Sequence, residues 1–278
     1  MSEALAKPAR PDPESAPLDE LDLFLSDLFH DDYHVKVFER LRAEDPVFHQ
    51  EVEELGSTWN VTRYEDIMAV DTDHETFSSD GSIVATDQDE DFALPMFIAM
   101  DPPRHDQQRR EVNGVVAPRN LAVMEETIRG RVQTILAGLP IGETFNWVDE
   151  VSIELTTQML ATLFDFPFED RRKLTRWSDV ATADDQSGII ESEEQRREEL
   201  IECLMYFTEL WNQRVNQPPA MDLVSMLAHG ESTKNMDPME YLGNLVLLIV
   251  GGNDTTRNSI TGGVRFLNQF PDEYRKLT

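Results

Sequence analysis

The chain has 278 residues, 40% of them hydrophobic, which is enough to bury a real core. Lysine and arginine total 24 against 54 aspartates and glutamates, a formal charge of −30 that argues against nucleic acid or an anionic membrane surface as a partner. The single cysteine, Cys203, excludes an intrachain disulfide and fits a reducing compartment.

The first 18 residues are rich in Pro, Asp and Glu and lack an apolar h-region, so neither a secretory signal nor a membrane anchor is expected. Residues 1–32 read as a mostly disordered acidic tail, residues 33–278 as one domain, and the protein as cytoplasmic. Residues 33–44 form an amphipathic pattern ending before Pro46. Two strands, 47–50 and 58–62, flank a turn at Gly56-Ser57, and 64–70 reads as a short helix. A long irregular segment then runs to Asp101. It carries Phe92, Leu94, Met96, Phe97, Ile98 and Met100, too apolar for a solvated linker. It reads as the wall of an apolar pocket, the alternative being a loop that tucks its own side chains into the core.

Asp101-Pro102-Pro103 reads as a helix start, with Asp101 at the N-cap and Pro102 in the first turn, and the helix is expected to reach residue 116. On it His105 and Arg109 stand four residues apart on one face, where two donors can hold carboxylates or phosphates, although such pairs also occur as plain surface contacts. Arg104, Arg109, Arg110 and Arg119 make a basic island in an acidic chain, a docking patch for an acidic partner or a locally neutralised surface.

Further helices are expected over 118–139, 150–164, 169–181 and 191–215, with a strand at 144–147 and a polar loop at 182–188. Cys203 falls on the apolar helical spacing Leu200, Cys203, Leu204, Phe207, Leu210, Trp211 and reads as core. The architecture is therefore mainly α with a small β-sheet. There is no internal repeat, no Cys/His metal spacing, no Walker loop and no Gly-x-Ser-x-Gly elbow.

The longest predicted helix starts at Asp237-Pro238 and runs to about residue 270. Its block Leu245-Val246-Leu247-Leu248-Ile249-Val250 is apolar on every face, as in a buried helix, and too short to span a membrane. Gly251-Gly252-Asn253-Asp254-Thr255-Thr256 follows. Each glycine costs roughly 1 kcal/mol against alanine in a helix interior, so the pair needs a compensating reason. Close approach of a bulky flat group is one, and a glycine-relieved helix crossing is the other. The Thr255 hydroxyl can bond back to the Gly251 carbonyl and open a bulge there.

Thr62-Arg63-Tyr64-Glu65-Asp66, Glu75-Thr76-Phe77-Ser78-Ser79, Asp101-Pro102-Pro103-Arg104-His105 with Arg109, and Gly251-Gly252-Asn253-Asp254-Thr255-Thr256 occur in this order from about Tyr33 onwards. In this succession the chain resembles the N-terminal part of a cytochrome P450, a haem-thiolate monooxygenase. Pro95-Met96-Phe97-Ile98-Ala99-Met100 and Val250 to Asn258 further resemble the soluble bacterial branch that hydroxylates terminal carbons of alkanes and fatty acids, a pattern shared in part with branches that oxidise steroid side chains.

The resemblance implies haem b as cofactor, with His105 and Arg109 on its propionates and Gly251 and Gly252 against its face. It implies that Asp254 and Thr255 relay protons toward dioxygen and that Met96, Phe97, Leu248 and Val250 line the substrate pocket. Ferredoxin and ferredoxin reductase would supply electrons through Arg104 and Arg110. The family's Glu-x-x-Arg helix and cysteine loop are not found before Thr278, so the axial thiolate is expected beyond that residue, no metal ligand is assigned here, and the sequence as given is expected to be inactive. Terminal hydroxylation is one reading, steroid or terpenoid oxidation a second, and a haem-free, non-catalytic helical scaffold a third.

Overall fold

In a computed structural model, residues 10–25, 27–52, 55–83, 90–183 and 187–277 are described. They fall into two compact units, 1–87 and 88–278, where the sequence reading took 33–278 as one.

In the first unit, helix α1 (Tyr33–Glu44) buries Val37 and Leu41, four residues apart on one face. It ends because Asp45 precedes Pro46 and is driven out of the helical region, to φ −149°. Strands β1 (Val47–Val52) and β2 (Gly56–Val61) pair antiparallel, with Val47 opposite Val61 and Val52 opposite Gly56. Gly56 is thus the first residue of β2 and not part of the turn. Its φ of +70° is a left-handed conformation that suits glycine. Helix α2 (Tyr64–Thr72) follows.

The acidic N-terminal stretch departs from expectation. Its first nine residues and residue 26 lie outside the described set, but residues 10–25 and 27–32 are not a disordered tail. Leu21, Leu23 and Leu28 are buried, the first two in a cluster with Val37, Leu41 and Phe48. Arg10 donates to the carbonyls of Asp27 and His30, both at 3.0 Å, and Arg40 to those of Pro13 and Ala16, at 3.1 and 2.7 Å. Composition pointed to disorder because the acids outnumber the leucines. Each buried leucine, however, contributes about 1.5–3 kcal/mol, and the arginines satisfy the backbone between them.

The second unit is helical: α3 (Arg104–Val112), α4 (Pro118–Ala137), α5 (Glu154–Phe164), α6 (Arg172–Thr182), α7 (Glu193–Arg214), α8 (Leu223–His229), α9 (Pro238–Gln269) and α10 (Pro271–Arg275). Its core joins Leu160 and Phe164 of α5, Trp177 of α6, Cys203 and Phe207 of α7, Leu227 of α8 and Leu242, Leu245 and Ile249 of α9. Phe166 stacks on Tyr206 with ring centroids 4.7 Å apart and meets Trp177 edge-on at 6.1 Å.

Three local expectations are corrected. Helix α3 starts at Arg104 rather than Pro102, because Pro102 itself precedes a proline and is disfavoured in the helical region. Residues 144–147 form no strand. Asn146 accepts from the backbone N–H groups of Val148 and Asp149 at 3.1 and 3.4 Å, and so opens the π-turn Val148–Ile153 that leads into α5. Helix α8, absent from the sequence reading, is capped by Asp222, whose carboxylate accepts from Ser225 N–H at 2.8 Å.

Helix α9 begins as read. Asp237 accepts from Met239 and Glu240 N–H at 2.9 and 3.0 Å, with Pro238 in the first turn. Burial is confined to its first half and Asn253, and the later turns are half-buried to exposed. Among the described residues, no helix is long and apolar enough to cross a membrane.

Candidate active site

The residues singled out by sequence lie on α9, on α3 and on the segment between Pro95 and Met100, all within the second unit. The glycine pair on α9 divides its work. A methyl on Gly251 would meet nothing within 4 Å, so this residue faces open space. A methyl on Gly252 would come within 2.7 Å of Leu160 Cδ2, so this residue is the small partner in the α5 crossing. The expectation that both lie against one flat group is corrected for Gly252, because successive helical residues point about 100° apart.

Thr255 shares the exposed side of Gly251, one turn on, and its hydroxyl donates to the Gly251 carbonyl at 2.9 Å, as its spacing predicts. No bulge accompanies this bond, and α9 runs unbroken. Asp254 does not join Thr255. Its carboxylate accepts from Arg257, whose other amino group donates to Asp179 on α6 at 2.9 Å. Alcohol and acid are adjacent in sequence but engaged on different sides of the helix. Next to them Asn253 is fully buried, its Oδ1 accepting from Thr156 of α5 at 2.9 Å.

On α3, His105 is half-buried and Arg109 exposed, one turn apart. His105 Nδ1 bonds the Phe97 carbonyl at 2.8 Å, and because a carbonyl only accepts, Nδ1 carries the hydrogen. Its Nε2 can therefore donate only when the ring is cationic. Arg109 and Arg110 have no side-chain partner among the described residues, whereas Arg104 is engaged, its Nη2 pairing at 2.7 Å with Glu240 of α9. Arg104 is thus shared between the expected basic docking patch and a carboxylate whose side chain is only 7% exposed, while its own side chain stays 56% exposed.

Of the expected pocket residues, Met96 and Phe97 are buried and Leu248 and Val250 half-buried. Leu248 and Val250 stand two positions apart on α9, about 200° round the helix, and so face different sides of it. Leu248 shares the side of Gly251 and Thr255. An open groove of about 790 Å³ runs instead along α4, between Pro118 and Gln133, and none of the expected site residues lines it. Cys203 is fully buried, and burial followed by the nearby Glu202 carboxylate pushes its thiol well above the ordinary range, as for an inert core thiol. No group of three His, Cys, Asp or Glu side chains among the described residues is placed to hold a metal ion.

Sequence reasoning missed the groups behind this surface, Gln108, Glu240 and Asn244, which form one buried hydrogen-bonded chain. It also missed Arg257 as the partner of Asp254, and Asp179 as the second acceptor of Arg257. A signal was present in Asn244, a lone amide inside the apolar run Tyr241 to Val250.

Helical architecture with a two-stranded sheet, a long central helix carrying Gly251 and Thr255, and a basic pair on α3 agree with a partial cytochrome P450 fold, and the curated and structural relatives of the chain are cytochromes P450. It is 44% identical to CYP153D17 from Sphingomonas sp. PAMC 26605, with a TM-score of 0.81 over 90% of this chain and 64% of that one. It is 43% identical to cytochrome P450-153 from Novosphingobium aromaticivorans, with a TM-score of 0.80 and the same coverage. Among characterised relatives it is 30% identical to linalool 8-monooxygenase of Pseudomonas putida, matching 91% of this chain and 64% of that protein. The chain thus spans just under two thirds of the length of these proteins. No protein-family model matches it.

Proposed function

We propose that, within a protein of its relatives' full length, this chain forms part of a haem b-dependent monooxygenase that inserts one oxygen atom from O2 into a hydrophobic substrate, at the terminal carbon of an alkane or fatty acid. The observation that carries the reading is the side of α9 on which Gly251 meets open space and Thr255 places a hydroxyl one turn on, beside half-buried Leu248. The residues fit a haem. A flat ring needs helix backbone free of Cβ, which Gly251 supplies, and propionates need cationic donors, which Arg109 and a cationic His105 supply. When bound, the haem supplies the activation of dioxygen.

The chain's own residues do the rest. The Thr255 hydroxyl, whose hydrogen is held by the Gly251 carbonyl, has free lone pairs with which to accept a proton donor on the open side. Asp254 reaches that side only by releasing Arg257, so its part in proton delivery needs a side-chain rotation. The iron thiolate does not come from Cys203, which lies in the α7 core, and is assigned to the part of the relatives' length that this chain does not span. Ferredoxin and ferredoxin reductase are the proposed electron donors, with exposed Arg110 ahead of Arg104 in the docking patch, and the proposed compartment is the cytoplasm.

The likeness to a methyl-branched lipid omega-hydroxylase of Mycobacterium tuberculosis, 27% identical, supports attack at a chain end. The relatives named linalool 8-monooxygenase and steroid C26-monooxygenase support a terpenoid or steroid as the competing substrate class. Turnover of dodecane and of cholestenone by the full-length protein, with ferredoxin and its reductase, decides. Terminal dodecanol is expected. Oxidation of inner carbons only, or of cholestenone only, removes the alkane reading, and no oxidation of any probe removes the monooxygenase.

A further inference from the structure

The peptide at Phe97 is held from both sides by side chains. Asn244 Oδ1 on α9 accepts from its N–H at 2.9 Å, and His105 Nδ1 on α3 bonds its carbonyl at 2.8 Å. Just before it the backbone of α9 lies against the segment, because a methyl on Gly243 would come within 2.9 Å of the Pro95 carbonyl carbon and 3.0 Å of that of Leu94. Only the three residues Phe97–Ala99 have regular structure here, so no ladder of backbone bonds fixes this stretch.

Asn244 is itself held. Its Nδ2 donates to Gln108 Oε1 at 3.2 Å and lies 3.1 Å from Met236 Sδ, Gln108 Nε2 donates to Glu240 Oε1 at 2.5 Å, and Arg104 pairs with that same oxygen at 2.7 Å. Asn244 is 0% and Gln108 3% exposed. The direction of every bond follows from the ends. An ionised carboxylate only accepts, so Gln108 turns its amino group to Glu240 and its oxygen to Asn244, which then has only its own oxygen for the Phe97 N–H. A buried amide in an apolar helix block is costly unless fully bonded, and a fully bonded network admits one arrangement.

We propose that Asn244 is a positioning residue for the oxidation: through the Phe97 peptide it fixes the wall segment 95–100 and the His105 ring together, so that pocket shape and cofactor cradle are set by one buried amide of α9. The inference rests on the monooxygenase reading for its functional meaning and on the hydrogen bonds alone for its geometry.

The test uses the full-length holoprotein. Asn244→Asp keeps an acceptor for the Phe97 N–H, while Asn244→Leu keeps the volume and removes it. Hydrogen–deuterium exchange of the peptide covering 94–101 is expected to rise roughly tenfold in the Leu variant and by less in the Asp variant, which keeps the acceptor for Phe97 but gives up the bond to Gln108, with α7 peptides unchanged in both. The ratio of dodecane to cholestenone affinity, read from the ligand-induced change in haem absorption, is expected to shift several-fold in the Leu variant alone. Gln108→Leu, which removes the support of Asn244, is expected to loosen the same peptide if Asn244→Leu fails to fold. Unchanged exchange at 94–101, or loosening spread equally over α7, overturns the proposal. A parent protein that binds no haem overturns the monooxygenase reading instead, and the exchange contrast still decides whether Asn244 is the anchor.

Discussion

Three glycines of α9, each replaced by alanine, give stability changes of different sign. In a helix interior alanine is favoured over glycine by about 1 kcal/mol. At Gly251, where a methyl meets nothing within 4 Å, that gain is unopposed, and the chain is expected to be stabilised by about 1 kcal/mol, raising its melting temperature by roughly 2–4 °C. At Gly243 the methyl would run into the Pro95 carbonyl oxygen, its nearest neighbour, and lie 2.9 Å from the carbon of that carbonyl, about 0.6 Å inside ordinary carbon–carbon contact. Both partners are backbone, so relief requires the segment to move and strains the bond from Phe97 to Asn244. Overpacking against backbone costs at least about 3 kcal/mol, the upper end of its usual range, and subtracting about 1 kcal/mol of propensity leaves a loss of at least about 2 kcal/mol, or roughly 4–8 °C and more. Gly252→Ala falls between, since the clash is with the tip of a buried but rotatable Leu160. Thermal unfolding followed by tryptophan fluorescence measures all three in the 278-residue chain. A loss at Gly251 equal to that at Gly243 would refute the assignment of an open side to Gly251, and a neutral Gly243→Ala would refute the backbone crossing.

The proposed chemistry and the charge network give three more expectations. Thr255→Ala in the full-length enzyme should divert reducing equivalents to peroxide, measured as peroxide formed per NADH consumed, with substrate affinity largely unchanged; unchanged coupling removes Thr255 from the proton relay. Arg110→Ala should slow reduction by ferredoxin more at low salt than at high salt, while Arg104→Ala should act chiefly on stability by stranding Glu240, and stopped-flow reduction alongside thermal unfolding separates the two. The hydrogen bond from Arg176 to Glu199, outweighing the opposing effect of burial, holds this carboxyl below its ordinary value. A depressed acid stabilises the fold above its unfolded pKa and loses that contribution as pH falls through the folded one. Arg176→Met should therefore lower stability at neutral pH and shrink the difference from the parent as the solution is acidified below the usual carboxylate range, seen in urea unfolding at stepped pH. A difference constant with pH would contradict this.

The helices were legible where the chain states its own boundaries. Asp237-Pro238 fixes the start of α9, and the pairing of Thr255 with the Gly251 carbonyl follows from spacing alone. What the sequence hid was long-range. Asp254 reads as a free acid until Arg257, itself anchored by Asp179 on α6, is seen to hold it, and Arg104 reads as free charge until Glu240 is placed beside it. Gly252 resembles its neighbour in sequence, yet only the position of Leu160 shows that it serves a helix crossing. In the N-terminal stretch the acid-rich composition was misleading because three leucines and two arginines at the right places outweigh it.

The lone thiol at Cys203 doubles as a clock for the protein. It is sealed between α7 and its neighbours with no solvent contact, and burial keeps it protonated, so a maleimide or disulfide reagent can modify it only while that packing is transiently parted. Modification rates at increasing reagent concentration would report how often the helical interior breathes, without any engineered label, and would tell a substitution that loosens the whole interior from one that frees only the Phe97 segment.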